Sequence, residues 1–334
     1  MNDLITLAHG SGGRRTRDLI ENLLLPRFTH PALAELGDAA ALETGGTRLL
    51  FTTDSFVISP LEFPGGDIGK LAVCGTVNDL AVSGARPLWL SCALIIEENF
   101  EIARLARLLD SLTATAREAG VAVVCGDTKV VEHGNADGLF INTAGIGVPL
   151  GDFRPSLPRA GDRVLVSGTI GDHEAAIFQA REKLGRYEGL CSDCAPLNGL
   201  VAALLAAGSQ GVRIMRDATR GGVGTVLNEL THGSGCSIML ADEHIPLSAQ
   251  VRGLCEIVGF DPLYLANEGK LVCIAAPEVA ETVLAAMRGH ALGAESAVIG
   301  EVVADAKERV YLCTGFGGSR VVAVPEGVQL PRIC

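Results

Sequence analysis

The run Gly151-Asp152-Phe153-Arg154-Pro155-Ser156-Leu157-Pro158-Arg159-Ala160-Gly161 cannot continue a helix or a central strand, and it cuts the chain into two halves of similar build. On both sides, strand-like apolar runs alternate with segments of helical period. Before the break, residues 49–53, 87–97, 121–131 and 139–148 read as strands. Residues 67–83 and 101–118 read as helices, with Gly84 and Gly120 standing where left-handed C-caps belong. In the second of these, Ile102, Leu105, Leu109 and Leu112 recur at helical spacing. After the break, strands are expected at 163–167, 212–216, 236–241, 270–276, 297–303 and 309–313. Helices are expected near 172–184, 196–207, 221–231, 248–258 and 277–289. The pattern is α/β, mixed sheets covered by helices, and 334 residues suit two such domains. Aromatics make up only 4% of the chain, so the core must be built from Ala, Val, Leu and Ile.

A formal charge of −12, with Arg14-Arg15-Thr16-Arg17 as the longest basic run, argues against nucleic acid as the main ligand. No apolar run approaches a membrane span, and Met1-Asn2-Asp3-Leu4 does not open a secretory signal. Of the ten cysteines, Cys92, Cys125 and Cys273 sit in strand-like apolar runs and read as small buried hydrophobes. A reducing, cytoplasmic location is expected.

Five aspartates sit just past strands or within Gly/Ala-rich turns: Asp38, Asp54, Asp79, Asp127 and Asp217. A single such Asp is ordinarily a turn residue or an N-cap. Asp79 differs, because it falls among the apolar Val77, Leu80 and Val82, and a buried carboxylate needs a partner. Several carboxylates at strand ends make a hard-oxygen site suited to Mg²⁺ bridging to phosphate. No P-loop accompanies them, since Gly69-Lys70 and Gly269-Lys270 are both followed by Leu. His9-Gly10-Ser11-Gly12-Gly13 and Arg220-Gly221-Gly222-Val223-Gly224 are either anion-holding loops or ordinary turns.

Cys191-Ser192-Asp193-Cys194 matches C-x-x-C, but no second pair completes a zinc site, so a loop before a helix is the simpler reading. Glu268, Lys129 and Glu132 lie at strand edges beside the aspartate turns and are candidates for proton transfer and charge stabilisation. The last residue is Cys334, after Leu330-Pro331-Arg332-Ile333. Its thiol reads as chance or as a swinging carrier, and an extended chain from Val321 reaches roughly 40 Å.

Together these residues resemble the HypE family of hydrogenase maturation proteins. The resemblance is carried by Val77-Asn78-Asp79-Leu80-Ala81-Val82-Ser83-Gly84-Ala85, Gly126-Asp127-Thr128-Lys129, Asp217-Ala218-Thr219-Arg220-Gly221-Gly222, Asn267-Glu268-Gly269 and Pro331-Arg332-Ile333-Cys334. The aspartate motifs alone are similar to a wider superfamily that includes aminoimidazole ribonucleotide synthetase and thiamine-monophosphate kinase. The terminal Pro-Arg-Ile-Cys narrows the likeness. It implies two PurM-like α/β domains, at 1–150 and 161–320, and a flexible tail at 321–334 carrying Cys334. It implies a homodimer whose N-terminal sheets join in a barrel-like interface, with ATP in the cleft between domains.

The resemblance also implies a reaction. Cys334 receives a carbamoyl group from the carbamoyltransferase HypF, the S-carboxamide is dehydrated to S-cyanate with ATP, and the cyano group passes to iron on HypC–HypD. Mg²⁺ would lie on Asp38, Asp54, Asp79 and Asp217. The nucleotide would meet Asp54, Asn78, Asp79, Gly126, Asp127, Thr128, Thr219, Arg220 and Gly221. Glu268 is the expected base, Lys129 the charge stabiliser and His9 a second proton carrier. Two other readings stand beside it: an ATP-dependent relative acting on a free small molecule, and a metal or scaffold protein built on Cys191 and Cys194.

Overall fold

The computed structural model describes residues 4–28, 30–182, 189–327 and 330–334. A short helix α1 (Arg14–Leu19) precedes the first sheet, which is built from β1 (Ala40–Thr44), β2 (Thr47–Phe56), β5 (Ala85–Glu97), β6 (Ala122–Val131) and β7 (Leu139–Pro149). A two-stranded ribbon, β3 (Glu62–Phe63) and β4 (Gly66–Asp67), lies apart from it. The sheet order is β1-β2-β7-β5-β6, antiparallel except for the outer pair β5–β6. Along β7 buried and half-buried residues alternate, as a strand with one face on a core requires.

Helix α2 (Ile68–Val82) starts at Asp67, whose carboxylate accepts the N–H groups of Gly69 (2.7 Å) and Lys70 (3.0 Å). It stops where Gly84 adopts φ +82°, and a Cβ there would fall 2.3 Å from the Phe153 ring. The helix is apolar on nearly every face and is buried accordingly, between the first sheet, α3 (Ile102–Ala119) and elements of the second half. Helix α3 buries Leu108, Leu112, Ala116 and Ala119, whereas Ile102, expected on that face, is 84% exposed. Its first turn lies past the cluster formed with α2, and among the described residues Ile102 joins no buried apolar cluster.

The second half forms a seven-stranded sheet, with β8 (Arg163–Val166), β9 (Val212–Asp217), β10 (Cys236–Ala241), β11 (Leu271–Ala275), β12 (Ala297–Ala304), β13 (Val310–Cys313) and β14 (Ser319–Val322) in the order β14-β13-β10-β12-β8-β11-β9. Helices α4 (Asp172–Glu182), α5 (Asn198–Gly208), α6 (Gly222–Thr231), α7 (Ala249–Val258) and α8 (Pro277–Arg288) accompany it, close to where hydrophobic periodicity puts them. Apolar clusters lie on both faces of this sheet, which explains the unbroken burial of β11. The expected mixed α/β architecture of two domains is present.

Strand β6 departs from expectation. Nine of its ten residues are exposed, Val124 and Val130 to 59% and 66%. Cys125 is therefore exposed and Cys92 half-buried, and of the three cysteines read as buried only Cys273 is. An apolar edge strand looks like a core strand in sequence; only pairing decides which it is.

Candidate active site

A cavity of about 200 Å³ opens where the two domains meet. Asp38 enters it just before β1, Asp54 from β2, Asp79 from α2 and Asp217 from the end of β9. Thr219 and Arg220 border it ahead of α6, Glu268 ahead of β11, and Cys334 closes it. Carboxylate oxygens of Asp38, Asp79 and Asp217 lie within 4.8 Å of one another, the only such group of potential metal ligands among the described residues. Asp54 lines the same cavity outside that trio. Thr52 Oγ1 sits 2.8 Å from both Asp79 Oδ2 and the Asp38 carbonyl, and Arg216 pairs with the Asp38 carboxylate.

Burial dominates the electrostatics. It raises the carboxyls of Asp38, Asp79 and Asp217 above the usual range, against the pull of Arg216 on Asp38. Asp54 is pushed up to about 6 by burial, with Arg220 working the other way. Four acids crowded out of water cannot all ionise without added positive charge. A divalent cation supplies that charge, and the donor set, oxygen only, suits Mg²⁺.

Glu268 is buried, and its Oε1 has no hydrogen-bond partner. Burial, then neighbouring Cys194 and Asp217, raise its carboxyl well above the usual range. Its N–H donates to Asp193 Oδ1 at 3.0 Å, and its carbonyl accepts from the Asn78 amide at 3.3 Å. An unpaired carboxylate oxygen at a cavity wall is costly unless a ligand meets it. The Cys334 thiol is pushed up to about 12, chiefly by burial, although Arg220 opposes the shift.

The single chain thus gathers Asp38, Asp54, Asp79, Asp217, Thr219, Arg220, Glu268 and Cys334. Other expected site residues lie elsewhere. Asn78 pins α2 to the second domain, bonding the backbone of Ala195, Leu197 and Glu268. Gly126, Asp127, Thr128 and Lys129 lie on β6, with Lys129 Nζ 2.7 Å from the Asp127 carboxylate in solvent. The His9 ring is held by Thr6, but its loop touches the site, since Arg220 donates to the Gly10 carbonyl at 2.9 Å. Gly221 caps α6 at φ +77°. Sequence reasoning misses Arg216, though its place next to Asp217 is a usable signal. Cys191 is exposed and Cys194 buried, and both are free thiols.

The first half, residues 36–149, matches the N-terminal domain of AIR synthase related proteins, and residues 159–313 match the corresponding C-terminal domain. The carbamoyl dehydratase HypE of Bradyrhizobium diazoefficiens is 51% identical over 335 aligned positions, covering 100% of this chain and 97% of that protein. The chain belongs to the HypE family. A crystal structure of a HypE–HypF complex is 45% identical and covers 92% of this chain and 99% of its own, with a TM-score of 0.86. The hydrogenase maturation protein HypE in complex with ATP is 44% identical and covers 99% and 100%, with a TM-score of 0.82. Among the described residues no helix is long and apolar enough to cross a membrane.

Proposed function

We propose that this chain is an ATP-dependent carbamoyl dehydratase acting on a carboxamide carried by its own Cys334. The observation that carries the reading is that Cys334 shares one cavity with Glu268 and the aspartates. An amide oxygen is a poor leaving group. It therefore takes the γ-phosphoryl group of ATP, ADP departs, and the nitrogen gives up one proton. Loss of the second N–H proton then expels phosphate and completes the C≡N bond of the S-cyanate. Glu268 is the acceptor best placed for such a proton, because its Oε1 is free and burial makes its ionised form a strong base. Arg220 offsets negative charge on the phosphate side. Asp38, Asp79 and Asp217, with Asp54 beside them, would hold Mg²⁺, which neutralises charge on transferring phosphoryl oxygens.

A thiol held near 12 is a poor nucleophile, so loading belongs to a tail outside the cavity and dehydration to a tail inside it. Covalent attachment makes the second step effectively unimolecular. HypF is the carbamoyl donor in this reading, supported by the similarity to HypE in the HypE–HypF complex. The cyano group then goes to HypC–HypD as a cyanide ligand for the hydrogenase iron. The exposed edge of β6 supports a homodimer joined there, which puts Asp127, Thr128 and Lys129 at the interface rather than in solvent. That all ten cysteines are free agrees with a reducing cytoplasm.

Intact mass spectrometry with HypF, a carbamoyl donor and ATP tests the proposal. The wild type should gain a carbamoyl mass and then lose one water, whereas Cys334→Ser should gain nothing. Glu268→Gln should load normally and stall, with dehydration slowed by about 10²–10⁴. Water loss at the wild-type rate in Glu268→Gln removes Glu268 as the base; loading of Cys334→Ser removes the carrier.

A further inference from the structure

Helix α4 presents His173, Ile177 and Arg181 four residues apart, hence on one face, and none of them belongs to the aspartate site. His173 and Arg181 meet the end of the chain. His173 is fully buried, and its Nε2 lies 2.6 Å from the Ile333 carbonyl oxygen. That oxygen only accepts, so Nε2 carries the proton. The other nitrogen, Nδ1, lies 2.7 Å from Ser192 Oγ, and burial lowers the ring's proton affinity, so the neutral ring accepts there. Ile177 belongs to the same apolar cluster as Leu330 and Ile333, against which Cys334 packs. Arg181 donates to three carbonyls, Ser59 of the body and Pro331 and Arg332 of the tail.

The first domain completes the seat. The Val57 N–H donates to the main-chain oxygen of Cys334 at 3.0 Å and the Ser59 N–H to that of Arg332 at 3.2 Å, so the tail pairs with the chain just beyond β2. Arg332 adopts φ +58°, donates from Nε to the Val57 carbonyl at 3.1 Å, and pairs with Asp137. The loop that orients His173 also holds the catalytic carboxylate, because Asp193 accepts the Glu268 N–H and pairs with Lys270 Nζ at 3.2 Å. The C-x-x-C stretch therefore works through its inner residues, Ser192 and Asp193.

We propose that His173 and Arg181, with Ser192 holding the other nitrogen of the histidine ring, are positioning residues that seat residues 330–334 and thereby deliver Cys334 to Glu268, while their release exposes the thiol for loading. The inference rests on Cys334 being the carrier. Its mark is an effect of opposite sign on two steps. Loosening the seat accelerates access to the thiol and slows dehydration, whereas general damage to the fold slows dehydration without selectively exposing Cys334.

The experiment is iodoacetamide labelling of the full-length protein, resolved by peptide mapping, with exposed Cys191 as the internal reference. Cys334 of the wild type should label at least about tenfold more slowly than Cys191. Losing charge-assisted bonds in Arg181→Gln should raise Cys334 labelling about tenfold, with Cys191 unchanged. Arg181→Lys keeps the charge but not the fork and should fall between. His173→Gln, which restores an N–H near Nε2, should label more slowly than His173→Leu. In the mass assay with HypF and ATP, Arg181→Gln should load at least as fast as wild type and lose water about tenfold more slowly. Equal labelling of Cys334 and Cys191 in the wild type overturns the seat without any variant, as does unchanged labelling in Arg181→Gln. A wild type that loads but never loses water instead overturns the dehydratase reading, leaving the labelling result to stand on its own.

Discussion

Glu174 and Glu268 are both buried carboxylic acids of the second domain, and their hydrogen bonds separate their roles. Glu174 accepts the Ala266 N–H at 2.8 Å and a backbone bond from Leu330, so it braces the loop before Glu268 and the root of the tail. Glu268 keeps Oε1 unpaired for a reacting group. Burial pushes the Glu174 carboxyl up to about 7, against its two backbone bonds and Arg181. In the unfolded chain it ionises from about 4.5, so between these values only the folded state holds the proton. Folding stability from this group is therefore lost as pH rises through that window, on the order of 3 kcal/mol in all. Glu174→Gln should remove the loss. Urea unfolding of both proteins at pH 5 and pH 7.5 checks the sign, the variant gaining on the wild type at the higher pH. An equal difference at both pH values would place the ionisation of Glu174 elsewhere.

At the scale of elements, α2 and β6 show how one kind of sequence serves opposite ends. Both are rich in small and branched apolar residues. Helix α2 is surrounded and carries Asp79 into the crevice, while β6 lies at an edge with Val123, Val124 and Val130 in solvent. Edge strands of this kind pair with other chains unless charged or covered. The proposed homodimer uses that edge, so Val124→Glu/Val130→Glu should convert dimer to monomer in sedimentation velocity, with each monomer still folded. A wild type that sediments as a monomer, or a double variant that remains a dimer, would remove β6 from the interface. Cys191 and Cys194 mark the converse case: both are free thiols, and among the described residues neither joins a group of potential metal ligands. Ser192 and Asp193 between them fix His173 and Glu268.

For the whole molecule, the crevice between domains concentrates negative charge that neither domain carries alone. Asp38, Asp54 and Asp79 come from the first half and Asp217 and Glu268 from the second. Mg²⁺ should consequently stabilise the folded chain, by about 2.7 kcal/mol at a hundredfold excess over Kd. Asp79→Asn should lose that response. Without metal it should melt no lower than wild type, since it removes a buried charge with like-charged neighbours. Thermal melts with and without Mg²⁺ measure both halves of this prediction, and an Asn variant that still responds fully would exclude Asp79 as a ligand.

The local pattern determined much of this protein by itself. Periodicity placed the helices and central strands of the second half, because each packs its apolar residues mainly within its own domain, and the apolar run between Asp67 and Gly84 placed α2, although that helix also packs against the second domain. Asp79 stood out because a carboxylate inside an apolar helix is too costly to bury without a partner or a cation to meet it. The C-terminal residues pointed to the family through their identity alone. Tertiary structure decided the rest. Periodicity cannot say that β6 is an edge, that Asn78 spends its amide on the neighbouring domain, or that Asp54 lies outside the tight aspartate trio. The tail, expected as a flexible arm, lies in a seat made by Val57, Ser59, His173 and Arg181. Those residues are far apart in sequence, and most of their bonds go to backbone carbonyls, which every residue possesses. Main-chain recognition leaves almost no trace in side-chain identity, so this seat becomes visible only once the domains have closed on each other.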